Sequence, residues 1–303
     1  MTGASGEAGR LRVVTWNIRA AIGPGEPFPP AWWRHVRADR LAAIGAFIAS
    51  LDPDVVTLQE VAILTVNGNV SDQSAELARL TGLRARYGAV HSFPLVEPEA
   101  GAVVGSAMWG HALLTRDPLA ESFTRGLPQA ADDDVVEPAG ADHDLAGVRY
   151  ADTEPGHREA RCVVGGWVDS ASALVATTHL TYIGREQRAM QAEAARAIVD
   201  GVADGRPLVL TGDFNAAVDA TELRPALDGL VDGFTAMGLE TGDAARESCG
   251  TQSIDHILAR GLRFASCRVA REAAELSDHW PVVADLEPAD GGPPVDRATA
   301  AGS

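Results

Sequence analysis

The sequence predicts an α/β protein built as a four-layer α/β/β/α sandwich, two packed mixed sheets with helices outside. Two observations carry this. Short β-branched runs alternate with stretches of helical periodicity along most of the chain, and several of those runs are apolar throughout, as strands covered on both faces must be. Ten such strands with few helices are more than one open sheet usually holds, so they divide into two sheets that bury one face against each other.

The expected strands are Leu11–Ile18, Val55–Val61, Tyr87–Phe93, Ser106–Thr115, Arg161–Val168, Ala173–Leu180, Pro207–Asn215, Ser253–Ala259, Phe264–Ala270 and Trp280–Leu286. The clearest helix is Ala38–Leu51, where Leu41, Ile44, Ile48 and Leu51 recur at helical spacing and Asp52-Pro53 closes the run. Asp72–Leu80, Arg185–Val202 and Glu222–Leu230 follow, the last behind Asp219 or Thr221 as its N-cap. One domain over 11–286 accommodates these elements. Residues 1–10 and 287–303, small, polar and rich in Gly and Pro, are expected to be disordered ends. The acidic, weakly periodic stretch 121–157 is expected to be an inserted loop.

Charge narrows the function classes. The chain has 42 acidic against 25 basic residues, a formal net charge of -17, and its basic residues are all arginine. Non-specific duplex binders draw affinity from many Lys and Arg contacts to phosphates, and no such surplus exists here. Three cysteines without a CxxC pair, and a start lacking the apolar core of a secretion signal, point to free thiols and a cytoplasmic protein. No apolar run is long enough to span a bilayer, so no stable membrane insertion is expected, and the protein is expected to be a monomer.

Four polar clusters sit at the ends of expected strands, the fourth just before the last one, where a rigid scaffold holds side chains well. Asn17 in Thr15-Trp16-Asn17 ends the first; a lone Asn there also serves as an ordinary turn residue. Glu60 in Leu58-Gln59-Glu60 ends the second. An ionised Glu leaving a buried strand needs a cation, and either Mg²⁺ or an arginine supplies one. In Gly212-Asp213-Phe214-Asn215, alternation places Asp213 and Asn215 on one side of extended backbone; the pair suits in-line attack on phosphorus, Asp213 orienting or deprotonating water and Asn215 donating to a charged oxygen, while an Asx turn is the plain alternative. In Ser277-Asp278-His279, Asp278 is a metal ligand candidate and His279 a base or phosphate contact, oriented by Asp255 of Ser253-Ile254-Asp255-His256. His179 supplies a further imidazole at a strand end.

Taken in order, Trp16-Asn17, Gln59-Glu60, Thr178-His179-Leu180, Gly212-Asp213-Phe214-Asn215, Ile254-Asp255-His256-Ile257 and Ser277-Asp278-His279 resemble the motif set of the endonuclease/exonuclease/phosphatase superfamily, from Leu11 to about Leu286. The resemblance implies the deoxyribonuclease-like form of the sandwich and hydrolysis of a P–O bond with Mg²⁺ or Mn²⁺. It places the main metal ligand on Glu60, with Asn17 and Asp278 completing the metal sphere directly or through water. Asp213 would position or activate water, Asn215 hold a phosphate oxygen, His279 with Asp255 contact the scissile phosphate or serve as base, and His179 stabilise the transition state. Apurinic endonucleases carry Tyr at the position of His179, so this chain looks more like the deoxyribonuclease and sphingomyelinase branches.

Arg161, opening a strand, is a candidate for bidentate phosphate binding, against a salt bridge to neighbouring acids. His91, His111 and His256 read as core or pocket-wall histidines, and Trp32-Trp33 as a staple beneath the Pro-rich loop before the first helix. Acidic loops and the lack of lysine favour a small-molecule or lipid phosphoester over nucleic acid. A metal-dependent nuclease, and a catalytically inactive binding module of the same fold, stand as alternatives.

Overall fold

The computed structural model describes residues 9–25, 31–129, 160–182 and 184–289. Its strands form two mixed sheets. The first carries β1 (Leu11–Asn17), β2 (Val55–Val66), β3 (Asn69–Asp72), β4 (Arg84–Val96), β5 (Val103–Thr115), β12 (Leu262–Val269) and β13 (Val282–Pro288), in the order β12-β13-β1-β2-β5-β4 with β3 paired to β2. The second carries β6 (Ala120–Gly126), β7 (Cys162–Val168), β8 (Ala173–His179), β9 (Leu208–Asp213), β10 (Val231–Asp232) and β11 (Asp255–Arg260), in the order β10-β11-β9-β8-β7-β6. Among the described residues only β1–β2 and β8–β9 pair parallel.

The layers follow from which faces are apolar. Val13, Val55, Val175, Val209, Ile257 and Phe264 meet between the sheets. Helices α1 (Ala38–Ser50) and α2 (Gln73–Thr81) cover the outer face of the first sheet, with Leu41, Ile44, Ile48 and Leu77 packed on Val14, Val56 and Leu58. On the far side α3 (Arg185–Ala203) lays Ala192, Ala195 and Val199 over Leu174, Leu208 and Leu210. These positions recur every three or four residues, the period that turns one helical stripe inward. Asp72 caps α2 by accepting from the Ala75 N–H at 3.0 Å, and Gly82 ends it at φ +73°. The expected four-layer sandwich is the observed one.

Several boundaries differ. The segment expected to open an inserted loop at 121 instead begins as strand β6, whose Phe123 is buried against β7; residues 130–157 of that stretch lie outside the described residues. β13 extends through Glu287 and Pro288, past the expected start of a disordered tail, while 1–8 and 290–303 lie outside the described residues. The helix expected over Glu222–Leu230 shrinks to α4 (Arg224–Leu227), which has no side-chain cap and is followed by Gly229 at φ +72°. The last short helix, α5 (Gly233–Ala236), takes its cap from Asp232. Trp32 packs edge-on against Trp33 and Trp109 and tilted against Phe93; residues 26–30 of the Pro-rich loop that the pair was expected to staple lie outside the described residues.

A polar seam crosses the sheet interface near one end. The Thr57 and Thr211 hydroxyls lie 2.7 Å apart, and the Gln59 amide donates to Thr177 Oγ1 at 2.8 Å and Thr15 Oγ1 at 3.1 Å. All five side chains are buried, and mutual pairing is what makes that burial tolerable. This seam leads directly to the strand ends that carry the site.

Candidate active site

Register brings the second sheet's polar residues into one row. Parallel pairing sets His179 beside Asp213, and antiparallel pairing sets Asp255 on Asp213's other flank. Opposite them, Asn17 ends β1 alongside Gln59 of β2. The two rows touch: the Asn17 amide donates to Asp213 Oδ2 at 3.2 Å and to Glu60 Oε1 at 2.9 Å. Gly212 makes the close approach of β8 and β9 possible, since a Cβ there would lie 1.9 Å from the Thr178 carbonyl oxygen.

Glu60 reaches the site through a β-bulge. Leu58 pairs with Ala112 and Val61 with Gly110, so Gln59 and Glu60 together face the single residue His111. Glu60 takes φ +53°, and Arg19 and Asn215 share that left-handed backbone at +46° and +50°. Such conformations cost roughly 1–3 kcal/mol each in residues with a Cβ and gather where function constrains the chain. Asn215 therefore does not continue an extended strand beside Asp213, as alternation suggested. Its backbone N–H closes an Asx turn on Asp213 Oδ1 at 2.9 Å, and its side-chain amide donates to the Leu180 carbonyl at 2.9 Å.

The electrostatics divide the site in two. On one side, burial and then the neighbouring Asp278 push the Glu60 carboxyl up to about 7, against the stabilising Asn17 amide. Arg19, in the turn after β1, sits with Nε 3.2 Å from Asp278 Oδ2, and its backbone N–H donates to Asn17 Oδ1 at 3.0 Å. Hard carboxylate oxygens crowded this way suit a divalent cation such as Mg²⁺ or Mn²⁺. Beside them His279 Nδ1 donates to Asp255 Oδ2 at 2.8 Å, and Asp255 accepts a second bond from Ser248 Oγ at 2.7 Å. Burial opposes charge on His279, but Asp255 and then Cys249 outweigh it and hold the imidazole well above its ordinary value. His279 Nε2 lies 3.8 Å from Asp213 Oδ2. Burial and the nearby Asp255 raise Asp213 to about 6.

Asp213, Asp255 and His279 bring ligand atoms within 4.8 Å of one another, the distance a single ion could bridge. Their hydrogen bonds fit a proton relay better. His279 Nδ1 is engaged by Asp255, Asp213 Oδ1 by the Asn215 N–H, and the imidazole itself carries the positive charge.

On the other side lie His179, His111 and Arg161. His179 Nε2 is 3.3 Å from Asp213 Oδ2 and its Nδ1 3.9 Å from Glu60 Oε1. Burial, and then the charge of Arg161, hold both histidines below their ordinary value, His111 at about 3 and His179 lower than usual by a wide margin. Arg161 is 4% exposed, in the wall of the site rather than on its rim. His256, expected as a core histidine, is one: its Nε2 meets the Ala216 carbonyl at 2.9 Å and Asp232 lies beside its other nitrogen.

All nine expected site residues thus gather at one end of the sandwich. Arg19 joins them without having been singled out for the site by sequence; it follows the first motif by two residues, and that proximity was the available signal. His111, expected as a core or pocket-wall histidine, lies opposite the bulge that carries Glu60.

With this geometry in place, the comparisons agree. The model of the endonuclease/exonuclease/phosphatase family matches residues 14–279, and the chain belongs to that family. Similar solved structures include an endonuclease/exonuclease/phosphatase from Beutenbergia cavernae, 24% identical with a TM-score of 0.65, covering 92% of this chain and 72% of that one. The human Nocturnin catalytic domain with bound sulfate is 18% identical with a TM-score of 0.61, covering 92% and 95%. TDP2 from Caenorhabditis elegans is 17% identical with a TM-score of 0.54, covering 95% and 77%. No curated protein matches the sequence significantly. Among the described residues no helix is long and apolar enough to cross a membrane.

Proposed function

We propose that this chain is a divalent-metal-dependent phosphoester hydrolase that breaks a P–O bond by in-line attack of water. The observation that carries the reading is the Asn17 amide, which spans from Glu60 to Asp213 and joins the crowded carboxylates of one sheet to the relay of the other. Glu60 and Asp278 would hold Mg²⁺ or Mn²⁺, with Asn17 orienting Glu60. When bound, the metal neutralises charge on the phosphoryl oxygens.

The remaining chemistry belongs to the chain. Asp213, with one oxygen fixed by the Asn215 N–H, presents Oδ2 to water and takes its proton as the new P–O bond forms. Its raised value of about 6 makes it a stronger base than an ordinary aspartate while leaving it ionised at neutral pH. The His279 imidazolium, held by Asp255, faces the negative charge that builds on the non-bridging oxygens. His179, kept neutral, donates without bringing a competing charge. Asn215, whose amide also serves the Leu180 carbonyl, keeps one N–H for a phosphate oxygen. The ester oxygen departs opposite the attacking water and takes its proton from solvent.

A small-molecule or lipid phosphoester is favoured over nucleic acid. The net charge of -17 repels a polyanion, and the site's arginines, Arg19 and Arg161, are buried in its wall instead of lining an open groove. The test is a Mg²⁺/Mn²⁺ panel of phosphomonoesters, lipid phosphodiesters, RNA and plasmid DNA, with and without EDTA. Metal-dependent turnover of the small esters above the polymers is the expected result. Faster cleavage of DNA or RNA would make the nuclease reading correct, and turnover that survives thorough chelation would remove the metal from the mechanism.

A further inference from the structure

Four strands present the same order of side chains along the face they turn toward the sheet interface. At every second residue β1 carries Val13, Thr15 and Asn17, β2 carries Val55, Thr57 and Gln59, β8 carries Val175, Thr177 and His179, and β9 carries Val209, Thr211 and Asp213. Register aligns these into tiers. Val13 pairs with Val55, Thr15 with Thr57 and Asn17 with Gln59, while Val175 pairs with Val209, Thr177 with Thr211 and His179 with Asp213. A valine tier in the apolar core thus gives way to a threonine tier, and about 7 Å further along the strands to the site.

Threonine and valine have nearly the same shape, and all four threonines are fully buried, where a hydroxyl is tolerated only when hydrogen-bonded. What the hydroxyl adds is spacing. Apolar carbons facing each other across the interface sit about 3.5–4.0 Å apart. The Thr57 and Thr211 hydroxyls, one from each sheet, lie 2.7 Å apart. Gln59 makes a second tie, donating from the first sheet to Thr177 Oγ1 of the second at 2.8 Å. The threonine tier therefore holds the sheets roughly 1 Å closer at that point than a facing pair of valines allows. One step beyond it, Asn17 of the first sheet reaches Asp213 of the second at 3.2 Å.

We propose that Thr57 and Thr211, with Gln59 beside them, are positioning residues whose hydrogen bonds set the distance between the two halves of the site. They hold Glu60 and Asp278, carried by β2 and by the turn into β13 of the first sheet, in reach of Asp213 and His179 on the second. The proposal rests on the phosphoester-hydrolase reading and adds to it residues that lie one tier beneath the reacting groups.

The test compares wild type with Thr57→Val/Thr211→Val, which replaces both hydroxyls by methyls, and with Thr57→Ser/Thr211→Ser, which keeps both hydroxyls. Exchanging both partners of a hydrogen bond for apolar groups of the same shape is nearly neutral for folding, so the valine pair should melt close to wild type. Three quantities are measured: kcat in Mg²⁺ for the ester that wild type turns over best, the affinity of the metal-free protein for Mn²⁺ by calorimetry, and the Asn17–Asp213 distance by crystallography. In the valine pair kcat should fall at least about tenfold, since a misplacement of about 1 Å costs up to ~10²-fold. The Asn17–Asp213 distance should open from 3.2 Å to about 4 Å. Mn²⁺ affinity should stay at the wild-type value, because Glu60 and Asp278 move together with their own sheet. The serine pair should keep all three quantities near wild type.

Wild-type kcat or an unmoved distance in the valine pair would overturn the proposal. So would a loss of Mn²⁺ affinity by the same factor as kcat, the mark of general damage, or a serine pair as slow as the valine pair. If the valine pair does not fold, Thr57→Val alone, which leaves the Thr211 hydroxyl its bond to the Ala176 carbonyl at 3.1 Å, carries the same three expectations. If wild type hydrolyses no ester, the hydrolase reading fails and the distance decides. Opening to about 4 Å then upholds the positioning role, and an unchanged 3.2 Å overturns it.

Discussion

The two halves of the site are built on opposite electrostatic plans. Around Glu60, Asp278, Asp213 and Asp255, carboxylates crowd together and one imidazole is held charged among them. Around His111, His179 and Arg161, basic groups crowd together and the imidazoles are held neutral. Burial pushes all three imidazoles toward the neutral form, Arg161 adds to that push on His111 and His179, and at His279 the Asp255 carboxylate with Cys249 outweighs it. The lesson is that burial sets the direction and a hydrogen-bonded partner of opposite charge reverses it. Crowded carboxylates and crowded basic groups thus meet within one sheet end.

Mutations break the comparison most sharply on the acidic side. Asp213→Ala or His279→Ala should lower kcat by at least ~10²-fold, the low end for losing an acid–base group; near-normal turnover in either folded, purified variant would refute its role. Asp255→Asn should cost on the order of tenfold at neutral pH, since it removes a charge-assisted bond and leaves the imidazole in place. Its more telling effect is on the pH profile. Asp255 holds the proton on His279, so without it the imidazole loses that proton at lower pH, and the alkaline limb of kcat should move down. An unmoved limb would mean that His279 is not the group titrating there.

A smaller effect separates the metal cradle from the relay. In the metal-free protein Glu60 keeps its proton until about 7, whereas unfolded it ionises near 4.5. The folded chain then binds more protons between those values, so stability should fall as pH rises from about 4.5 to about 7 and level off above. Glu60→Gln should flatten that slope, raising the metal-free Tm by a few degrees at pH 8 and by little at pH 4.5. Mg²⁺ should raise the Tm of wild type at pH 8 and leave Glu60→Gln unmoved. Equal Mg²⁺ shifts in both would take Glu60 out of the metal site.

Much of this arrangement was legible in the chain because apolar runs ending in a polar residue have a direct physical meaning. Val13-Val14 before Asn17 and Val209-Leu210 before Asp213 each describe a covered strand delivering a hydrogen-bonding group to its end, and both do so. The stripes of α1 and α3 were equally plain. What depended on pairing partners was hidden. The opposition of His111 to the Gln59–Glu60 bulge is a matter of register between β2 and β5, and no single strand records it. Asn215 was misread as extended because alternation ignores the Asx turn that Asp213 itself makes. β6 escaped notice because Glu121, Ser122 and Arg125 face solvent at a sheet edge, where only Phe123 needs to be apolar.

Diffraction from crystals soaked in Mn²⁺, collected to locate its anomalous signal, tests the division of the site most directly. The peak should lie between the carboxylates of Glu60 and Asp278, with the His279–Asp255 bond intact. A peak held instead by Asp213, Asp255 and His279, or no peak at this end of the sandwich, would contradict the assignment of a metal cradle beside a separate proton relay.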